Sequence, residues 1–292
     1  MENPLKSFFR QPSIYVKLPS RGRYYLPNTL DMTDQYEVGI MPMTAKDELV
    51  IKTPDALLNG QSTVDVIKSC VPGIKDPWTM PIMDLDSVLL GIRIASYGNT
   101  MDVNAPVPAV KEIQPLIVDL NELLDRIIVR EFNQNCVLSN GLVIKIKPRN
   151  YRMTTQIQMK TFEEQKLMQT VSNADLSESE KIEKFTKIFT NISSLTVDNM
   201  VDVIHSVTTP EGNEVVDRLY IKDFVYNMET STAKEIQKHI DAQNDIGRVP
   251  ALTVQTNEEF VKQGAPKTFE TPITFDTANF FALESFRSRT TK

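Results

Sequence analysis

Hydrophobic periodicity changes character near residue 150. From Tyr151 to about residue 245, apolar positions recur at helical spacing with few breaks. Tyr151–Val171 reads as one long helix. Ser177-Glu-Ser-Glu180 has the form of a capping box and opens a second, with Ile182, Phe185, Ile188 and Phe189 along its apolar side. Three further helices are predicted over Val197–Ser206, Val215–Met228 and Ser231–Ala242.

Before Pro148 the elements are short and punctuated. Ser13–Leu18 alternates weakly, and Pro19, Gly22 and Pro27 then interrupt a basic, aromatic stretch, as in an extended segment. Thr44-Ala-Lys-Asp47 predicts a capped helix through Lys52, and Pro54 suits the first turn of another that Asn59-Gly60 would stop. Ser62 or Thr63 can cap a third, with Val66, Ile67 and Cys70 inward. Asp84–Tyr97 places Leu85, Val88, Leu89 and Ile92 on one stripe ahead of Gly98. A loop or small ribbon over 101–115 and a helix from Asn121 to about Glu131 come next. Asn140-Gly141 between alternating segments is a strong hairpin signal. After residue 246, Val249–Gln255 and Phe269–Phe275 read as two strands, and Phe280-Phe281 as the end of the ordered part.

The expected fold class is α+β, mainly helical: an extended N-terminal arm, a short-helix module, a long-helix layer and a small C-terminal β-ribbon. The expected segments are 1–40 (arm), 41–148 (motif-rich helical module with hairpin), 149–246 (helical layer) and 247–292 (ribbon and tail, packing with 99–120). A length of 292 residues suits about two domains, and 41% hydrophobic residues supply a sizeable core. No apolar run of 18 residues or more exists, so no spanning helix is expected. Met1–Phe9 lacks the apolar region of a secretory signal.

Charge and chemistry narrow the function. A net charge of −6 argues against a nucleic-acid coat. Two cysteines, Cys70 and Cys136, exclude a disulfide scaffold and an all-cysteine zinc site, and neither metal nor cofactor is expected. Neither histidine sits in a catalytic signature. His205 reads as a half-buried residue of an apolar helix face and His239 as a solvated one. No nucleophile elbow, phosphate loop or dinucleotide fingerprint is present, so the chain reads as a binding protein, not an enzyme.

Candidate partner-binding residues are Phe8, Phe9, Arg10, Arg21, Arg23 and Tyr24 in the arm, with Trp78, the single tryptophan. The plainer readings come first: an amphipathic strand with half-buried tyrosines for the arm, and a plug at the core edge for Trp78. Met1–Arg10 is expected to dock on a partner and Ser13–Tyr25 to pack on the chain's own core, Tyr15 included.

Five blocks occur in order: Met41-Pro-Met-Thr-Ala-Lys-Asp-Glu-Leu49, Lys52-Thr-Pro-Asp-Ala-Leu-Leu-Asn-Gly60, Ile67-Lys-Ser-Cys-Val-Pro72, Lys75-Asp-Pro-Trp78 and Gly91-Ile-Arg-Ile-Ala-Ser-Tyr-Gly98. With Tyr15-Val-Lys-Leu-Pro-Ser-Arg-Gly-Arg-Tyr24 upstream and Pro272-Ile-Thr-Phe-Asp276 and Asn279-Phe-Phe281 downstream, the chain resembles T4-like contractile-tail phage baseplate hub subunits and hub assembly proteins. The resemblance implies a non-enzymatic morphogenesis protein. Its partners would be other baseplate hub or tail proteins, with the tape measure and the central spike as further candidates. It would act in the host cytoplasm during assembly and, as a structural component, sit in the virion tail baseplate. A transient assembly chaperone and a tail-associated cell-wall-degrading enzyme are the alternatives. The resemblance also implies paired CxxC motifs able to form a zinc ribbon. Here those stretches read Asn104-Ala-Pro-Val-Pro-Ala109 and Val261-Lys-Gln-Gly-Ala-Pro266, without a metal ligand.

Overall fold

The computed structural model describes Leu5 and residues 9–51, 60–173 and 177–273. The fold is α+β and mainly helical, in two compact units: Met1–Arg130 with Ile246–Lys292, and Glu131–Asp245.

In the first unit, β1 (Ile14–Lys17) pairs antiparallel with β2 (Glu37–Ile40), Val16 opposite Val38. Strand side chains alternate between faces, so Val16, Val38 and Ile40 enter the core and their neighbours do not. This corrects one expectation: Tyr15, adjacent to Val16, turns outward and is 57% exposed. The helix α1 (Ala45–Ile51) starts at the predicted capping box. Asp47 N–H donates to Thr44 Oγ1 at 3.2 Å, and Thr44 N–H donates to Asp47 Oδ2 at 2.7 Å. The helix expected from Pro54, and Asn59, lie outside the described residues.

Gly60, at φ 74°, is itself the N-cap of α2 (Gln61–Cys70). Ser62 and Thr63, read as caps, are buried inside that helix. A 3-10 turn over Ile82–Asp84 leads into α3 (Leu85–Tyr97), which buries Val88, Leu89 and Ile92 and stops at Gly98 (φ 91°). Where α3 crosses the first sheet it carries Gly91. A Cβ there would overlap Ile40 Cδ1, so only glycine permits this approach.

A ribbon of β3 (Thr100–Pro106) and β4 (Ile113–Asp119) follows, then α4 (Leu120–Arg126), capped by the Asp119 carboxylate. This helix ends five residues before the expected Glu131. The chain instead extends, Ile128 N–H donating to Arg248 O and Gly247 N–H to Ile128 O.

In the second unit, β5 (Asn135–Val137) and β6 (Val143–Ile146) flank the Asn140-Gly141 turn, with Gly141 at φ 85°. The long helices α5 (Tyr151–Asn173) and α6 (Glu178–Val203) come next, α6 opened by the Ser177–Glu180 capping box. The helix expected over Val197–Ser206 is the end of α6 followed by β7 (Ile204–Thr208). The unpaired edge of β6 accounts for the switch, because pairing with it satisfies the β7 backbone. His205 is therefore an exposed strand residue, not a half-buried helical one. The sheet closes with β8 (Glu214–Val215), in the order β5-β6-β7-β8. Then come α7 (Arg218–Asn227), capped by Asp217 three residues after the expected start, and α8 (Thr230–Asn244). His239 on α8 is half-buried, with Nε2 2.9 Å from Asn133 O. Ile144, Ile146, Val203, Ile204, Ile221, Val225, Ile236 and Ile240 form this unit's core.

The chain then returns to the first unit with β9 (Leu252–Gln255), α9 (Glu258–Lys262) and β10 (Thr268–Thr271); β9 and β10 pair. Val254 and Phe269 pack with Ala105 and Val107. Apolar burial thus joins the two ribbons at the place where the resemblance implied metal. Phe280-Phe281 lies outside the described residues.

Candidate functional site

After β1 and the buried Leu18 that follows it, the chain turns sharply at Pro19–Tyr25. Arg21 N–H donates to Leu18 O and Arg23 N–H to Ser20 O, with Arg21, Gly22 and Tyr24 at φ 54°, 74° and 71°. So strained a sequence of left-handed residues needs support from below. Ser20 supplies it, donating its N–H to Asp84 Oδ1 at 2.8 Å and its hydroxyl to Asp84 Oδ2 at 2.6 Å.

Asp84 is fully buried, and burial pushes its carboxyl up to about 6, against the Ser20 hydrogen bonds that lower it. The Tyr25 hydroxyl is buried beside it and is pushed well above its ordinary range, first by burial and then by the Asp84 charge. Above this polar base the turn displays the exposed Arg21 and Arg23, with Tyr24 half-buried.

A groove of about 760 Å³ opens beside the turn. Tyr15, Lys17, Pro19 and Arg21 line one part, Gln35, Tyr36 and Glu37 another, and Leu124, Asp125, Ile127 and Val129 the rest. Both tyrosines are exposed, and the groove carries charges of both signs. Such a mixture of aromatic rings and charges suits a protein partner.

Arg10 stands elsewhere. Its guanidinium donates to Pro42 O (2.6 Å), Ser69 O (2.7 Å), Ser69 Oγ (2.6 Å) and Asp47 Oδ2 (3.2 Å). Burial alone would raise the Asp47 carboxyl, but hydrogen bonds from Thr44 and Ser69 and the Arg10 charge hold it below its usual value. Burial, with the Asp47 charge, pushes the nearby Cys70 thiol up to about 12, so it is unreactive. Arg10 therefore pins the start of the arm to α1 and α2, and Phe9 beside it is exposed. Phe8 lies outside the described residues.

Trp78 is half-buried in the connection between α2 and α3 and does not line the groove. The sequence-derived residues thus do not form one patch. Arg21 joins Tyr15 and Lys17 in the groove, while Arg10 is engaged inside the chain. Sequence reasoning gave no site role to Ser20, Asp47 or Asp84: Asp47 was visible as part of the Thr44 capping box and Asp84 as the start of a helical stretch, and Ser20 carried no local signal.

A second carboxylate of α3 has a similar task. Asp86 Oδ1 accepts from Arg248 at 3.0 Å and Oδ2 from Val249 N–H at 3.2 Å, holding the returning C-terminal segment. Among the described residues no three His, Cys, Asp or Glu side chains group as a metal site would require, and no helix is long and apolar enough to cross a membrane.

No curated protein and no solved structure matches the chain. The model of a family described as "T4 bacteriophage base plate protein" matches residues 12–247, a span containing the Ser20–Asp84 turn, the groove and the whole of the second unit. On that match over most of its length, the chain belongs to the T4 bacteriophage base plate protein family.

Proposed function

We propose that this baseplate protein is a non-enzymatic component of the hub of a contractile tail, joining hub or tail proteins during morphogenesis through the arm face of its first unit. The observation that carries this reading is the Pro19–Tyr25 turn: strained, locked from beneath by Asp84, and displaying Arg21 next to Tyr15, Lys17 and Tyr36. A surface held rigid before binding loses little entropy on docking. Such rigidity has no use in a free terminus.

The non-enzymatic part has its own support. Asp84 and Asp86, buried carboxylates that a hydrolase could have used as an acid–base pair, are bonded to Ser20 and to Arg248 with Val249. The tape measure and the central spike are candidate neighbours alongside other hub proteins. The protein would fold in the host cytoplasm and enter the virion with the baseplate.

The test is complementation of phage lacking this protein with Tyr15→Ala/Arg21→Glu. The expected result is a folded variant with an unchanged melting temperature that fails to enter baseplates. Full complementation would remove the arm face from the contact. Mass spectrometry of purified mature tails then separates a resident component, present near stoichiometry, from an assembly chaperone, which would be absent.

A further inference from the structure

The two edges of the first sheet differ. In an antiparallel pair, residues bonded across the ladder alternate with residues whose N–H and C=O point away from it. Leu18 N–H donates to Tyr36 O at 3.0 Å, and Val16 stands opposite Val38, so the bonded positions are Ile14, Val16 and Leu18. The N–H and C=O groups of Tyr15 and Lys17 therefore point away from β2. Among the described residues no other backbone group bonds to them. The far edge of β2 is closed instead at Glu37. Its C=O accepts from Thr33 N–H at 2.9 Å, and its N–H donates to Thr33 Oγ1 at 3.2 Å.

The open edge of β1 lies in the groove beside the arm turn. Residues from both faces of the strand line that groove, the exposed Tyr15 and Lys17 and the buried Val16, as only an edge allows. Of β2, the groove touches Glu37 alone. Its other wall is the end of α4 and the extended chain beyond, with Leu124, Ile127 and Val129, together with the buried Ser87 of α3.

We propose that an extended segment of another tail protein enters this groove and adds to β1 as a third strand. This rests on the arm-face reading and gives that face its mode of recognition. Main-chain chemistry selects the occupant. Two N–H and two C=O groups that repeat at every second residue are matched by an extended main chain with the same repeat, about 6.8 Å, and not by a helix. Side chains of the added strand alternate in direction. Those on the core side meet Leu124 and Ile127, and those on the outer side lie beside Tyr15 and Lys17. The partner segment therefore alternates apolar and polar residues over about five positions. A second copy does not fit, because its own β1 is recessed beside the same wall and two recessed edges do not meet.

Proline at an outward-pointing edge position removes one N–H and leaves the bonds to β2 in place. Variants of the full chain are supplied in trans to phage lacking this protein, and the yield of infective phage is read. Lys17→Pro is expected to lower the yield about tenfold or more, whereas Lys17→Ala, which keeps the N–H, stays within about threefold of wild type. Should Lys17→Pro unfold, replacing Tyr15 by its α-hydroxy acid removes an edge N–H and retains the side chain, with the same loss expected. A photo-crosslinking residue at position 15 should join a peptide of a different tail protein. Three results overturn strand addition: equal yields from folded Lys17→Pro and Lys17→Ala, full yield from the α-hydroxy acid variant, or no crosslink except to a second copy or to residues 274–292. The arm face itself falls only if Tyr15→Ala/Arg21→Glu complements fully, so the two failures are distinguishable.

Discussion

Ser20 gives both its backbone N–H and its hydroxyl to the carboxylate of Asp84, 64 residues further along the chain. That one carboxylate ties the strained arm turn to the start of α3, the most deeply buried helix of the first unit. Asp84→Ala would leave both Ser20 donors buried without an acceptor. We expect a loss of about 2–4 kcal/mol in urea unfolding, with cleavage by trypsin at Arg21 and Arg23 accelerated.

The same carboxylate makes stability depend on pH. Its folded pKa, about 6, lies above the ordinary 3.8, so between these values the native state binds more protons than the unfolded chain. The contribution of Asp84 to stability therefore rises as pH falls through this window and is flat above it. The full difference is roughly 3 kcal/mol for a shift of about two units. Unfolding of wild type and Asp84→Asn from pH 7 to pH 4 measures it: the wild type should gain on the variant as the buffer is acidified. Parallel curves would show that Asp84 does not titrate in this range.

Arg10 holds three different segments through one guanidinium. Arg10→Ala should cost about 2 kcal/mol, because the partly buried Asp47 keeps its charge and loses its cation. Arg10→Lys should recover little of it, since a single ammonium cannot reach Pro42, Ser69 and Asp47 in the geometry of a planar fork. Chemical denaturation of the three proteins decides this. Equal stability of Arg10→Lys and wild type would mean that charge alone matters.

Strand phase predicts opposite outcomes at adjacent residues. Val16→Ala removes buried methyl groups and should cost roughly 1–3 kcal/mol, whereas Tyr15→Ala should stay within about 0.5 kcal/mol of wild type. Thermal unfolding of both variants checks the register of β1 against β2.

Two glycines separate strain from crowding. Gly98 and Gly247 both have positive φ, 91° and 79°. A Cβ at Gly98 meets nothing within 4 Å, while one at Gly247 would overlap the Met83 carbonyl. Gly98→Ala should cost about 1 kcal/mol and Gly247→Ala well over 2 kcal/mol, measured by calorimetry.

Local rules made much of the fold legible in advance. Capping boxes at Thr44 and Ser177 set two helix starts, Gly98 set a helix end, and Asn140-Gly141 set a hairpin, because each motif satisfies backbone groups within a few residues. The ordered blocks of the first unit likewise carried the baseplate family. Other features were decided by groups far apart in sequence. Whether residues 204–208 continue a helix or become a strand depended on the open edge of β6, about 60 residues earlier. The direction of Tyr15 followed from which neighbour faced Ile40 and α3. Asp84 looked like the first residue of a helical stretch and became the acceptor for a distant turn, and Arg10 looked like one of the arm's partner-binding residues and became a clamp on α1 and α2. Periodicity and caps are local, so sequence alone determines them. The burial of a charge and the side of a strand that meets the core depend on distant segments, and only tertiary packing brings those together.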